Sequence, residues 1–403
     1  MKNNICDIIS QGTKNAVNTG VYLDYQASCP LDARVLAKML PYMTEEYGNP
    51  HSSEHFMGWH ANEAIETAKE QVSQYIDALP DEIVFTSGAT ESNNLAIIGT
   101  GLAALEHQSS RKTILVSAIE HKCVLGSARA LERFGFTVKK IPVLHTGIVD
   151  LNALKDLLND DVLLVSVMAT NNEIGVDQPL DKIGELVKSC GAIFHVDAAQ
   201  TGYRKISVVD IPYIDLLSLS AHKIYGPKGI GGLFISSNSV LKPAPILYGG
   251  GQQDGFRSGT LPTFLVVGFG AAADIMAKER DEEIVRVKML RNKLLEGLKE
   301  ICPDIIINGT MECRHAGNIN VTIPRVNAKQ LIYSIQPNVA FSTGSACTSG
   351  VIEPSHVLKA IGLSNEDAEC SFRMSVGRFS DENDIQKTLE IIKDIVCRQT
   401  HIA

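Results

Sequence analysis

The 403-residue chain reads as an α/β protein, with a large domain built on a mostly parallel sheet and a smaller α+β domain. Three observations predict this. Short apolar runs of strand length, such as 192–196 and 214–219, alternate with longer stretches of helical periodicity. Several runs end in turn chemistry and polar side chains, and open α/β sheets collect their ligands beyond such carboxyl ends. The last third mixes isolated strands with helices instead. At 44% hydrophobic and 21% charged residues the chain can bury a large core, and its length predicts two packed domains.

The elements follow in order. A polar leader precedes Val21 and reads as a frayed or partner-binding arm. Residues 21–30 read as a strand and turn, 32–46 as a helix, and 47–51 as a loop by its Gly-Asn-Pro chemistry. An amphipathic helix over 59–76 leads to a strand over 82–86. Ser87-Gly-Ala-Thr-Glu91 then opens a helix. Its free N–H groups and dipole make a phosphate cradle, with plain capping by Thr90 or Ser92 as the alternative. Strands over 113–118, 137–143 and 162–170 alternate with a helix over 151–159, implying right-handed crossovers. A helix from 263 to about 301, bending near Arg280-Asp-Glu, leaves the large domain. Strands at 318–323 and 372–376 and helices at 328–335 and 384–398 complete the chain. The expected division is 33–280 for the large domain, and 1–32 with 281–403 for the small one, which carries a loop at about 341–352.

The chemistry centres on Ser220-Ala-His-Lys-Ile-Tyr-Gly-Pro-Lys-Gly229. The preceding strand delivers His222 and Lys223 into a turn closed by Pro227 and Gly229. A lysine in an apolar strand-end position loses solvation that favours its charged form, which makes it a nucleophile toward carbonyl compounds. Taken alone, Lys223 reads first as a solvated loop lysine, and its neighbours change that reading. A second strand ends in His195-Val-Asp-Ala-Ala-Gln200. Asp197 could be a helix N-cap. Paired with a neighbouring lysine, it is also the carboxylate that pyridoxal phosphate needs at its ring nitrogen.

These two segments resemble the cofactor signature of the cysteine desulfurases, within the class V aminotransferase group of fold type I pyridoxal-phosphate enzymes. The resemblance runs from Val21 to about Arg398. It implies a mostly parallel seven-stranded sheet and L-cysteine as substrate. It also implies that His121 stacks on the cofactor ring and shuttles protons, and that Asn172 and Gln200 lie near its phenolic oxygen. Ala89, Thr90, Ser220 and His222 match phosphate contacts. Thr260, in Gly255-Phe-Arg-Ser-Gly-Thr260, matches one that reaches the other subunit's cofactor, so a symmetric homodimer follows from the resemblance. Arg373 matches the clamp on the substrate carboxylate, a strand-edge salt bridge being the alternative. Asp24 matches an acid near the site entrance.

Ser345-Ala-Cys-Thr-Ser349 sits in a run of small, hydroxylated and glycine residues. Cysteine is unusual in such a loop, which favours a reactive reading of Cys347. The segment resembles the long-loop desulfurases of iron-sulfur assembly. That implies a persulfide on Cys347 passed to an acceptor protein, with Cys347 also available as a transient iron-sulfur ligand. Cys123 reads as structural. The chain stops at Ala403, short of the tail that housekeeping relatives use to dock a scaffold. This leaves open a dedicated enzyme, for instance for DNA phosphorothioation. A related pyridoxal-phosphate enzyme, such as a selenocysteine lyase or an aminotransferase, and an inactive scaffold complete the alternatives.

Composition excludes other classes. Net charge −9 and a pI near 5.7 argue against direct binding to nucleic acid or an anionic membrane. No window approaches the ~20 apolar residues of a membrane span, and the leader lacks a signal-peptide core, so a cytoplasmic protein is expected. Nine cysteines without a CxxC pair suit neither a disulfide framework nor a structural metal site.

Overall fold

The computed structural model describes residues 20–343 and 354–400. The leader before Gly20 and the Cys347 segment lie outside the described residues.

Among the described residues twelve strands occur in chain order: β1 Val21–Tyr22, β2 Ile83–Thr86, β3 Thr113–Ser117, β4 Thr137–Ile141, β5 Val162–Ser166, β6 Ile193–Asp197, β7 Leu216–Ser220, β8 Gly231–Ile235, β9 Ile306–Ile307, β10 Asn318–Thr322, β11 Val339–Ala340 and β12 Ser371–Ser375. Seven form the central sheet in the order β2-β8-β7-β6-β5-β3-β4. Only β8 is reversed, pairing antiparallel with β2 and β7. The expected mostly parallel sheet is therefore present. β2, β3, β5, β6, β7 and β8 are buried along their whole length, because helices cover both faces of such a sheet and require unbroken apolar runs.

On one face the helices Phe56–Tyr75 and Thr263–Ile301 pack against each other and cover β2 and β7 through residues such as Ile65, Val72, Phe269 and Met276. On the other, helices Ala89–Glu106 and Lys122–Leu131 close a second core around Leu95, Ile97 and Leu131. The 39-residue helix Thr263–Ile301 runs unbroken through the segment where a bend is expected. Arg280 and Glu283 there are buried, and Glu283 accepts from Arg378 Nε at 2.5 Å, so this stretch is anchored through Glu283, while Asp281 and Glu282 face solvent.

The C-terminal part carries an antiparallel sheet, β12-β10-β9. The short β1 pairs in parallel with β11, tying the start of the chain to its last third. An isolated bridge from Asp24 to Ser375 extends this joint to β12. Two glycines are required by close approach. Gly231 lets β8 pass Gly88, where a Cβ would stand 2.7 Å from the Gly88 Cα. Gly175 turns with φ +71°, and a Cβ there would meet Asn318 Cγ at 2.3 Å.

Candidate active site

The parallel strands β2, β3, β5, β6 and β7 all end at one edge of the sheet, and beyond it lies a cavity of about 690 Å³. Each strand delivers expected residues to its wall. Ala89 and Thr90 follow β2, His121 follows β3, Asn172 follows β5, Asp197 and Gln200 follow β6, and Ser220, His222 and Lys223 follow β7. Arg373 enters from β12. Thr260 is exposed and does not line this cavity.

The β7 turn holds Lys223 so that its Nζ donates to the carbonyl of Gln26 and, at 2.9 Å, to that of Ala27. Gln200 Nε2 donates to the same Gln26 carbonyl at 2.9 Å. Burial, aided by the positive charge of Arg373, pushes the Lys223 amine down to about 8. This is a lysine available as a neutral nucleophile near physiological pH.

Asp197 is buried, with Oδ1 accepting from Ala199 N at 3.0 Å and Oδ2 from Asn93 Nδ2 at 2.8 Å. No helix starts at Asp197, so the N-cap alternative is replaced by a turn bond and a side-chain bond. His195, two residues earlier, bonds Ser166 at 2.8 Å and Ser218 at 3.0 Å across three strands. Burial lowers its pKa to about 3, so it is a neutral structural crosslink.

His121 caps the helix Lys122–Leu131. Its Nδ1 accepts from Cys123 N at 3.2 Å and lies 2.9 Å from Cys123 Sγ. Burial, with a contribution from Asp197, raises the Cys123 thiol to about 12, so the S–H is the donor to Nδ1. The proton of the neutral ring then sits on Nε2. Burial also lowers the His121 pKa, against the pull of Asp197, which keeps the ring neutral.

The helix Ala89–Glu106 starts at Gly88 with no side-chain cap, so neither Thr90 nor Ser92 satisfies its first N–H groups. Ser92 Oγ turns inward to Gly232 O at 3.0 Å. The capping alternative therefore fails, and the helix N-terminus lines the cavity beside Thr90, Ser220 and His222 with its first N–H groups uncapped by side chains. The His222 pKa is lowered to about 4 by burial, so its ring is neutral.

Pyridoxal phosphate fits this donor set: a depressed lysine amine, a buried carboxylate at the next strand end, and an uncapped helix N-terminus between them.

A model of class-V aminotransferases matches residues 21–388. A cysteine desulfurase IscS of Methylobacillus flagellatus is 46% identical over 378 residues, 94% of this chain and 92% of that one. The chain belongs to the cysteine desulfurases of the class-V aminotransferase family. A probable mitochondrial cysteine desulfurase of Dictyostelium discoideum is likewise 46% identical, over 94% of this chain and 83% of its own. A solved NifS-like protein superposes with a TM-score of 0.87 at 34% identity, covering 94% of this chain and all of that one. The fold is that of the fold type I pyridoxal-phosphate enzymes, as expected.

Three residues at or behind the cavity wall escape sequence reasoning. Asn93 bridges Asp197 to Cys123 Sγ, the latter at 3.2 Å. Cys123, read as structural, lines the cavity and touches His121. Its signal was its place two residues after the histidine, in the first helical turn, where the side chain folds back toward the cap. Glu120 is fully buried, accepts from Met168 N at 2.6 Å, and is raised well above the usual carboxylate range by burial and by Asp197.

Proposed function

We propose that this chain converts L-cysteine to L-alanine and passes the sulfur, as a persulfide on Cys347, to an acceptor protein. The observation that carries the reading is the meeting of Lys223, Asp197, His121 and Arg373 on one cavity wall, within a chain of the desulfurase family. When bound, pyridoxal phosphate supplies an electron sink that loosens bonds at the substrate α- and β-carbons. Lys223 would hold the cofactor by its amine and serve as the base for the α-proton. Asp197, bonded by Asn93, would keep a proton on the ring nitrogen. His121 would stack on the ring and donate a proton from Nε2. Ala89, Thr90, Ser220 and His222 would hold the phosphate, and Gln200 and Asn172 would orient the phenolic oxygen. Arg373 clamps the substrate carboxylate.

In the sulfur step the Cys347 thiol bonds to the substrate sulfur while the substrate Cβ–S bond breaks. The electron pair and a proton stay with the three-carbon product, which leaves as alanine, and Cys347 carries S–SH. Cys347 lies outside the described residues, and its role rests on the resemblance and on its setting in sequence. The exposed position of Thr260 suits a homodimer in which it serves the partner's cofactor. The division at 33–280 places the Lys223 wall in one domain and Arg373 in the other. No helix among the described residues is long and apolar enough to cross a membrane, in keeping with a cytoplasmic enzyme.

Purified Cys347→Ala, incubated with L-cysteine, tests the reading. It should keep the yellow cofactor absorbance and lose persulfide transfer and alanine formation. Unchanged alanine formation would point to a lyase that needs no thiol, and absence of cofactor from the wild type would point to an inactive scaffold.

A further inference from the structure

Arg373 already holds a carboxylate. Its Nη2 lies 2.5 Å from Asp24 Oδ1 and donates to Ser342 Oγ at 2.9 Å, while Nη1 donates to the Asn172 carbonyl at 2.6 Å. Nε is buried and meets no acceptor among the described residues. The guanidinium thus presents one free N–H beside one that is already taken, along the edge that a bidentate carboxylate uses. Asp24 is fixed independently of that pair. β1 sets its backbone, the bridge to Ser375 aligns it with β12, and Ser342 Oγ donates to its Oδ1 at 3.1 Å. It lines the same cavity as Lys223 and Arg373, and its side chain keeps 18% of its surface exposed.

We propose that Asp24 is a resident stand-in for the substrate carboxylate, which an incoming amino acid must displace from Arg373. The inference rests on the reading of Arg373 as the carboxylate clamp. A nearly buried guanidinium without a counter-charge would be costly, and Asp24 removes that cost before substrate arrives. The same pairing sets a threshold. A ligand gains from Arg373 only if its own carboxylate replaces Asp24 on Nη2 and reaches Nε, whereas an amine without a carboxylate leaves the pair closed. The displaced Asp24 keeps the Ser342 hydroxyl and water as partners, so the exchange leaves no buried charge alone. Asp24 therefore acts through Arg373, as a positioning residue that keeps the guanidinium paired before substrate binds and weakens carboxylate binding.

The test is a spectral titration of the holoenzyme with L-alanine and with ethylamine, which is the same amine without the carboxylate. Wild type should prefer L-alanine. Asp24→Asn, which keeps shape and removes charge, should bind L-alanine about tenfold tighter, the weight of one charge-assisted bond, and leave ethylamine unchanged. Asp24→Ala should shift in the same direction, and retained cofactor absorbance reports that each variant is folded. Unchanged or weaker L-alanine binding in folded variants, or an equal change for both ligands, would overturn the exchange while leaving the clamp standing. A wild type that does not distinguish the two ligands would remove the clamp, and the exchange with it.

Discussion

The depressed basicity of Lys223 has a measurable consequence in the capture of pyridoxal phosphate. An ordinary lysine amine at 10.5 is neutral in about one molecule in a thousand at pH 7.5, whereas at about 8 it is neutral in about one in four. The reactive fraction is therefore about two hundred times larger, and the burial responsible disfavours the ammonium by roughly 3 kcal/mol. Protein stripped of cofactor and mixed with pyridoxal phosphate across a pH series should show a capture rate that climbs about tenfold per pH unit at low pH. It should level off above about pH 8. Absorbance of the bound cofactor follows the reaction. Arg373→Gln removes the second cause of the shift and should move the midpoint upward by a fraction of a pH unit, burial remaining the larger part. A rate that keeps climbing to pH 10 in the wild type would refute a desolvated amine at position 223.

Cys123→Ala removes the S–H that donates to His121 Nδ1 and favours the neutral ring. The acidic limb of the kcat/KM profile should move upward by about half to one pH unit, the worth of a hydrogen bond of about 1 kcal/mol. Cys123→Ser should restore the wild-type limb, and a profile that does not move in the alanine variant would separate Cys123 from His121. Gly175→Ala forces a Cβ to within 2.3 Å of Asn318 Cγ at φ +71°. It should lower stability by about 2–3 kcal/mol, read as a fall in the denaturation midpoint, and an unchanged midpoint would show that Asn318 yields freely.

Much of the site was legible because each strand end announces itself by turn chemistry placed directly after an apolar run. Ser87-Gly-Ala-Thr-Glu91, His121, Asp197 and Lys223 were all found in this way, and the cavity brings them together. Element ends were less legible. The strand expected over 162–170 stops at Ser166, because pairing with β6 ends there while the apolar run continues into the wall of the site. Asn93 gave no signal, since it lies in an ordinary helical turn and only the opposing β6 strand makes it a partner for Asp197. Asp24 could be placed near an entrance, but its pairing with Arg373 spans 349 residues.

Sequence alone determined that the candidate side chains stand at the ends of buried strands, because local periodicity and turn residues encode this, while most of their expected roles came from the family resemblance. Tertiary structure decided their protonation and their partners. The Lys223 amine reaches about 8, the proton of His121 rests on Nε2 and Arg373 is neutralised by Asp24, because desolvation and charge pairing arise between segments far apart in the chain.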